Sequence, residues 1–229
     1  MMEVTEFYDK KVTCLFCDHS FQTKQIRSRF IRVKSVHSDF YTEYKGDEIN
    51  PYFYEVVVCP ECGFSSTDSF SKEFPFHTRE AIKKQLINWK KQDFGKPRSV
   101  TDAIKTKKLA ILSAVLKKEK DLIIAGLCLR LAWLYRLTNS EEQELRFLAN
   151  SLTHYKAAYI NSEYIGTSMT ELTLLYLMGE LARRIGEIEE SASYFSKVIQ
   201  HKQRHLEPKI VEMTREQWYL IRNRDQKVI

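Results

Sequence analysis

The sequence predicts an α+β fold that is mostly α, and three observations predict it. Short extended segments crowd the chain before residue 76, helical periodicity takes over after it, and four of the five cysteines lie in the first part. The division falls near Phe74-Pro75-Phe76-His77, giving a small β module over residues 1–76 and a helical part over residues 77–229. A chain of 229 residues accommodates two domains of unequal size, and 43% hydrophobic with 29% charged residues is the composition of a folded protein.

In the first part, residues 24–33 and 51–58 are rich in β-branched and aromatic side chains and are read as strands, with the turn formers of residues 44–51 joining them. In the second part, Ile82, Leu86 and Trp89 recur at i, i+4 and i+7, and Gly95-Lys96-Pro97 then breaks the chain. Ser99 with Asp102, Ser140 with Gln143 and Ser168 with Glu171 have capping-box spacing and mark three helix starts. The stripe Leu145, Leu148, Leu152, Tyr155 and Tyr159 and the stripe Ile188, Ala192, Phe195 and Ile199 each need a packing partner. Pro208 opens a last helix that carries Val211, Thr214, Trp218 and Ile221 on one side. About seven helices are expected between Thr78 and Asp225.

A weak repeat relates residues 127–152 to residues 174–199 at an offset of 47. In the second copy, Gly179, Ala182, Gly186, Ser191 and Phe195 fall where a tetratricopeptide repeat alternates small, turn and bulky residues. Asn139 stands in for the turn glycine of the first copy. The expected helical part is therefore a tetratricopeptide-like bundle.

Cys14-Leu15-Phe16-Cys17 and Cys59-Pro60-Glu61-Cys62 are two Cys-x-x-Cys pairs separated by 41 residues. Two cysteines three apart in a tight turn place both thiolates on one edge of a tetrahedron, and a second turn completes four bonds to Zn²⁺ of about 2.3 Å each. Such a turn favours a residue tolerant of left-handed φ after its second cysteine, a role suited to Gly63 and, less well, Asp18. Four thiolates fill the ion and leave no position for water, so the expected zinc is structural and the β module zinc-ribbon-like. A rubredoxin-like iron centre and disulfides are the alternatives, the latter disfavoured in a reducing compartment. Lys10, Lys11 and Lys24 are candidates to offset the negative charge of the cluster. His19, His37, Asp39 and His77 match no metal or catalytic template and are read as loop or surface residues, and Cys128 as a core residue.

The N-terminus has no basic segment followed by an apolar run, so cytoplasmic localisation is expected. Residues 122–137 are the most apolar stretch, but 16 residues interrupted by Arg130 and Arg136 are too short and too charged to span a membrane. Residues 79–120 hold thirteen Lys and Arg against four Asp and Glu, a pattern read first as a solvated lysine-rich helix face.

Phe7-Tyr8-Asp9-Lys10-Lys11-Val12-Thr13-Cys14, Asn50-Pro51-Tyr52, Cys59-Pro60-Glu61-Cys62-Gly63-Phe64, the run of residues 130–136 and Gln217-Trp218 resemble the bacterial family catalogued as domain of unknown function 2225. The resemblance spans nearly the whole chain and implies a zinc-ribbon-like front with a tetratricopeptide-like rear. It implies no activity. Leu15 and Asp18 depart from the proline and glycine common in the first knuckle.

The expected function is that of a non-enzymatic adaptor binding another protein through its helical repeat. Trp133 and Arg136 of one copy and Tyr176, Glu180 and Arg183 of the other share one helical face, where guanidinium forks hold a partner's carboxylates and aromatic rings give rigid contact area. An intramolecular pair between Arg183 and Glu180, or packing of this face on the zinc module, competes with that reading. The alternative partner is nucleic acid, met by Arg27, Arg29 and Arg32 beside the aromatic residues of the ribbon. No phosphate-binding glycine loop, nucleophile elbow or open metal site points to an enzyme.

Overall fold

The structure is a computed structural model that describes residues 5–46 and 49–225. Strands β1 (Phe7–Thr13) and β2 (Ser20–Ile26) pair antiparallel from Phe7↔Ile26 to Thr13↔Ser20, making the first cysteine pair the turn of a hairpin. Asp9 and Lys24 face each other in this register and form an ion pair of 2.8 Å. Strands β3 (Val33–Val36) and β4 (Thr42–Tyr44) form a second hairpin. Strands β5 (Val57–Val58) and β6 (Ser65–Ser66) form a third, whose turn holds the second cysteine pair.

The two long strands expected from composition are shorter and differently placed. Over residues 51–58, Pro51–Phe53 is a 3₁₀ turn, because the Asn50 side chain accepts the Tyr52 amide at 3.0 Å and the fixed φ of Pro51 opens a helical turn. Only Val57–Val58 is extended. Residues 24–33 are likewise interrupted by a 3₁₀ turn at Ser28–Phe30. Each cysteine pair is thus closed by its own local hairpin rather than by strands spanning the spacer.

The helices are α1 (Thr78–Gln85), α2 (Val100–Lys117), α3 (Asp121–Leu137), α4 (Glu141–Ile160), α5 (Glu171–Ile185), α6 (Ile188–Gln200) and α7 (Pro208–Asp225). The Ser99–Asp102 capping box is present at α2, with both backbone bonds at 3.2 Å. Ser140 precedes α4 without a side-chain cap, and α5 is capped by Thr170 instead of Ser168, its hydroxyl accepting the Thr173 amide at 3.0 Å. From α1 to α7 each helix packs on the next. Short turns close α3 on α4 and α5 on α6, with Asn139 at φ 52° and Gly186 at φ 92° supplying the left-handed residue. At Gly179 a Cβ would lie 2.6 Å from the Phe195 ring, so only glycine allows α5 and α6 this approach.

Buried apolar side chains from Cys14 to Ile221 form one continuous cluster across both parts. Its link is α2, where Ser113 accepts the Ser65 amide at 3.1 Å. Just before α2, the buried Arg98 donates to the carbonyls of Phe94, Phe53 and Val56 at 2.8 to 2.9 Å. Three cations of the basic stretch therefore lie inside rather than on a solvated face: Arg98, Lys107 with Glu55, and Lys117 with Glu119. Among the described residues, no helix is long and apolar enough to cross a membrane.

Candidate metal centre

The two cysteine loops repeat one backbone pattern. Cys14 N–H donates to the His19 carbonyl and Cys59 N–H to the Phe64 carbonyl, while the Asp18 and Gly63 amides return to the carbonyls of Cys14 and Cys59, all within 2.9 to 3.1 Å. Closing such a loop needs left-handed backbone after the second cysteine, and Asp18 has φ 60° and Gly63 φ 74°. The Phe16 amide donates to the Cys14 sulfur at 3.4 Å. At Gly63 any side chain would also collide with Trp89, whose ring atoms lie 2.4 to 3.0 Å from a Cβ position.

The loops face each other, with Cys14 Sγ 3.7 Å from Cys62 Sγ and Cys17 Sγ 3.6 Å from Cys59 Sγ. All four sulfurs lie within 4.8 Å of one another, and none is disulfide-bonded. A tetrahedron with metal–sulfur bonds of about 2.3 Å has edges of about 3.8 Å, so the donor set fits a tetrahedral thiolate-bound ion. The hydrogen bond with Cys62 lowers the Cys14 pKa to about 5, the same bond and burial push Cys62 well up, and burial raises Cys59 to about 11. Crowded sulfurs suppress one another's ionisation when no cation neutralises them. A divalent ion removes that conflict for all four.

The segment after the β module fastens both loops to the helices. Arg79 of α1 donates to the Phe16 carbonyl at 3.0 Å and stacks 4.3 Å from the centre of the Phe74 ring. Trp89 donates to the Pro60 carbonyl at 2.9 Å, and Lys91 pairs with Glu61 at 2.8 Å. Two of the lysines expected to offset the cluster serve carboxylates instead, Lys10 pairing with Asp68 and Lys24 with Asp9.

The second predicted site is also assembled, but around a loop of the same chain. The tip of the β3–β4 hairpin reaches α3 and α5, where Asp39, fully buried, accepts from Trp133 Nε1 at 3.0 Å and Arg136 Nη2 at 2.7 Å. Arg184 stands 3.5 Å from the other carboxylate oxygen. Tyr176 donates to the Ser38 carbonyl at 2.7 Å, and the Ser38 hydroxyl donates to Glu180 at 2.7 Å. Arg183 completes the set with bonds of 2.7 and 2.8 Å to Glu180, and the Phe40 ring packs edge-on against Tyr176. Burial pushes the Asp39 carboxyl upward, but the Arg136 hydrogen bond, the Arg184 charge and the Trp133 donor outweigh it and hold it below the ordinary carboxylate range.

Trp133, Arg136, Tyr176, Glu180 and Arg183 are thus one cluster, and its missed members are Ser38, Asp39 and Arg184. Asp39 is far from a surface loop residue. Only the adjacent Arg183-Arg184 pair in the last turn of α5 hinted at a second cation. Arg27, Arg29 and Arg32 are all exposed, with Arg27 bonded to the Thr5 carbonyl and lying over Tyr8, and Arg29 over Phe30. His37 pairs loosely with Glu43 and His77 with Glu80, both near the surface, and Cys128 is buried in α3.

Fold and site define a class: a β module of short hairpins with a four-cysteine centre, fastened to a stack of seven described helices. Within that class, the chain belongs to the family described as "Uncharacterized protein conserved in bacteria (DUF2225)", whose model matches residues 7–221. It is 26% identical over 178 residues to a curated relative described as "Uncharacterized protein" from Borreliella burgdorferi. That match takes in 70% of this chain and 64% of the relative's length, so the chain spans less than two thirds of that relative. No solved structure matches the chain.

Proposed function

We propose that the chain is a zinc-braced, non-enzymatic adaptor of the cytoplasm, whose tetratricopeptide-like helices hold an acidic turn of another protein on the face of α3 and α5. One observation carries the reading: this face already grips a peptide turn. Arginine forks and the Trp133 N–H hold a carboxylate, and Tyr176 holds a main-chain carbonyl. The resident turn at residues 38–41 stands in for the partner's, and exchange of one for the other is the adaptor step. Zinc is assigned to the four cysteines because an all-thiolate tetrahedron suits it and closes the ion to substrate.

The test uses a cyclised peptide carrying residues 36–42. An Asp39→Ala protein, its own carboxylate removed, is expected to bind the peptide at least about tenfold more tightly than wild type, and Arg136→Glu with Arg184→Glu to abolish that binding. A folded Asp39→Ala protein that ignores the peptide, or binding indifferent to the arginines, overturns the reading.

Nucleic-acid binding is the second reading, favoured by the exposure of Arg27, Arg29 and Arg32 on one short segment beside the exposed Val33 and Val36. Neutralising the three arginines is expected to weaken retention of single-stranded RNA or DNA and to flatten its salt dependence together. Absence of retention by the wild type at low salt ends this reading.

A further inference from the structure

A cleft of about 750 Å³ opens between the β module and α3, remote in role from both clusters described above and within the size range of small-molecule sites. Its walls are largely apolar, with Ile26, Ile31 and Val57 from the β module and Ile123, Leu127 and Met169 from the helical part. The charged groups set among them do not balance. Asp68 is matched by Lys10 and Glu119 by the buried Lys117, while Glu163 keeps its negative charge, since its bond at 2.9 Å comes from the neutral Leu122 amide, and sets it against Lys120 in the overall balance of the cleft. Glu55, however, stands alone between two cations, Lys107 behind it and Arg130 on the cleft wall 3.1 Å away. Lys120 at the cleft edge bonds to no acidic side chain among the described residues.

Arg130 spends Nε on Glu55 and Nη1 on the Gly126 carbonyl, leaving Nη2 without a protein acceptor among the described residues while the side chain stays 42% exposed. One carboxylate shared by two cations leaves about one positive charge uncompensated beside apolar walls, where a charge interacts more strongly than in water. A single excess charge suits a monoanion better than a doubly charged phosphate, and the free edge of a guanidinium matches a carboxylate.

We propose that this cleft binds a small amphipathic carboxylate, its hydrocarbon body along Ile123 and Met169 and its head at Arg130, with Lys120 favouring entry. The proposal stands independently of the adaptor reading. Decanoate, below the concentration at which it forms micelles, is the probe, titrated calorimetrically into the full chain beside decanol and decylamine. Saturable one-site binding is expected for decanoate, with the neutral and cationic analogues at least about tenfold weaker. Ile123→Trp, which narrows the cleft without touching the ion pairs, should remove binding, and Lys120→Gln should weaken it in low salt. Arg130→Gln should erase the preference for the acid over the alcohol. If that variant does not fold, the Ile123→Trp result and the ranking of the three probes decide. Equal affinity for decanoate and decanol, binding untouched by Ile123→Trp, or no saturable binding at millimolar decanoate each overturns the proposal.

Discussion

The β module is held at two charge clusters, one of sulfur with Cys17 exposed and one built on buried carboxylates, and they solve the same problem differently. At the cysteines, four groups that repel one another as anions converge, and among the described residues no Lys or Arg bonds to the sulfurs; the arrangement is one that a metal ion from outside the chain could complete. At the hairpin tip, Asp39 and Glu180 meet Arg136, Arg183 and Arg184, so the chain supplies its own counter-charges. The difference teaches where each depends on conditions. The first is sensitive to metal supply, the second to pH and to anything that competes for the arginines.

The largest effect that sharpens this contrast is expected at the sulfurs. Cys59→Ser should take bound zinc from one per chain to near zero by elemental analysis, because losing one thiolate forfeits much of an apparent binding energy of about 10–16 kcal/mol. Far-UV circular dichroism should retain most of the helical signal, since α3 to α7 pack on one another. Full retention of zinc, or iron in its place, would break the contrast at its first term.

Asp39→Ala comes next, with an expected loss of up to about 3 kcal/mol in denaturant unfolding, because the buried Trp133 donor loses its acceptor while the half-buried Arg136 and Arg184 regain water and Arg136 keeps Glu144. Zinc content should stay at one per chain. A loss of zinc in this variant would show that the two clusters are not separate devices.

The same cluster sets a pH response whose sign follows from the lowered Asp39 pKa. Above the ordinary unfolded value of about 3.9, the folded carboxylate contributes its full stabilisation; as pH falls through the lower folded value, that contribution is lost. Wild type should therefore lose stability steeply in this acid window, and Asp39→Asn should flatten the slope there.

No larger is Gly179→Ala, where the new methyl group meets the Phe195 ring and overpacking of about 1–3 kcal/mol is expected in thermal unfolding. At the bottom of the scale, Lys91→Ala should change stability by less than about 1 kcal/mol, because its pair with Glu61 is well exposed and screened by solvent. A large effect there would mean that the surface clamp on the second loop matters more than the half-buried one made by Trp89.

Local sequence set the class of fold, the four cysteines of the centre and the starts of α2, α4 and α7. These rest on interactions a few residues apart: Cys-x-x-Cys spacing, the Ser99–Asp102 box, a 3.6-residue apolar period, and left-handed backbone at Asp18 and Gly63. It also picked out Trp133, Arg136, Tyr176, Glu180 and Arg183 as one face, because i, i+3 and i+4 steps follow from helix geometry. What covers that face was decided only in three dimensions. Asp39 and Arg136 are 97 positions apart and Ser38 and Arg184 are 146 apart, and no local periodicity links a turn to a helix at such distance. The burial of Lys107 and Arg98 was equally hidden, since a basic stretch looks solvated until a distant segment brings Glu55 or the carbonyls of Phe53 and Val56; for Lys117 the partner Glu119 is only two residues away, and what stayed hidden was the burial of the pair. Local sequence sets what each segment can become; the desolvation of a charge depends on which distant segment arrives to compensate it.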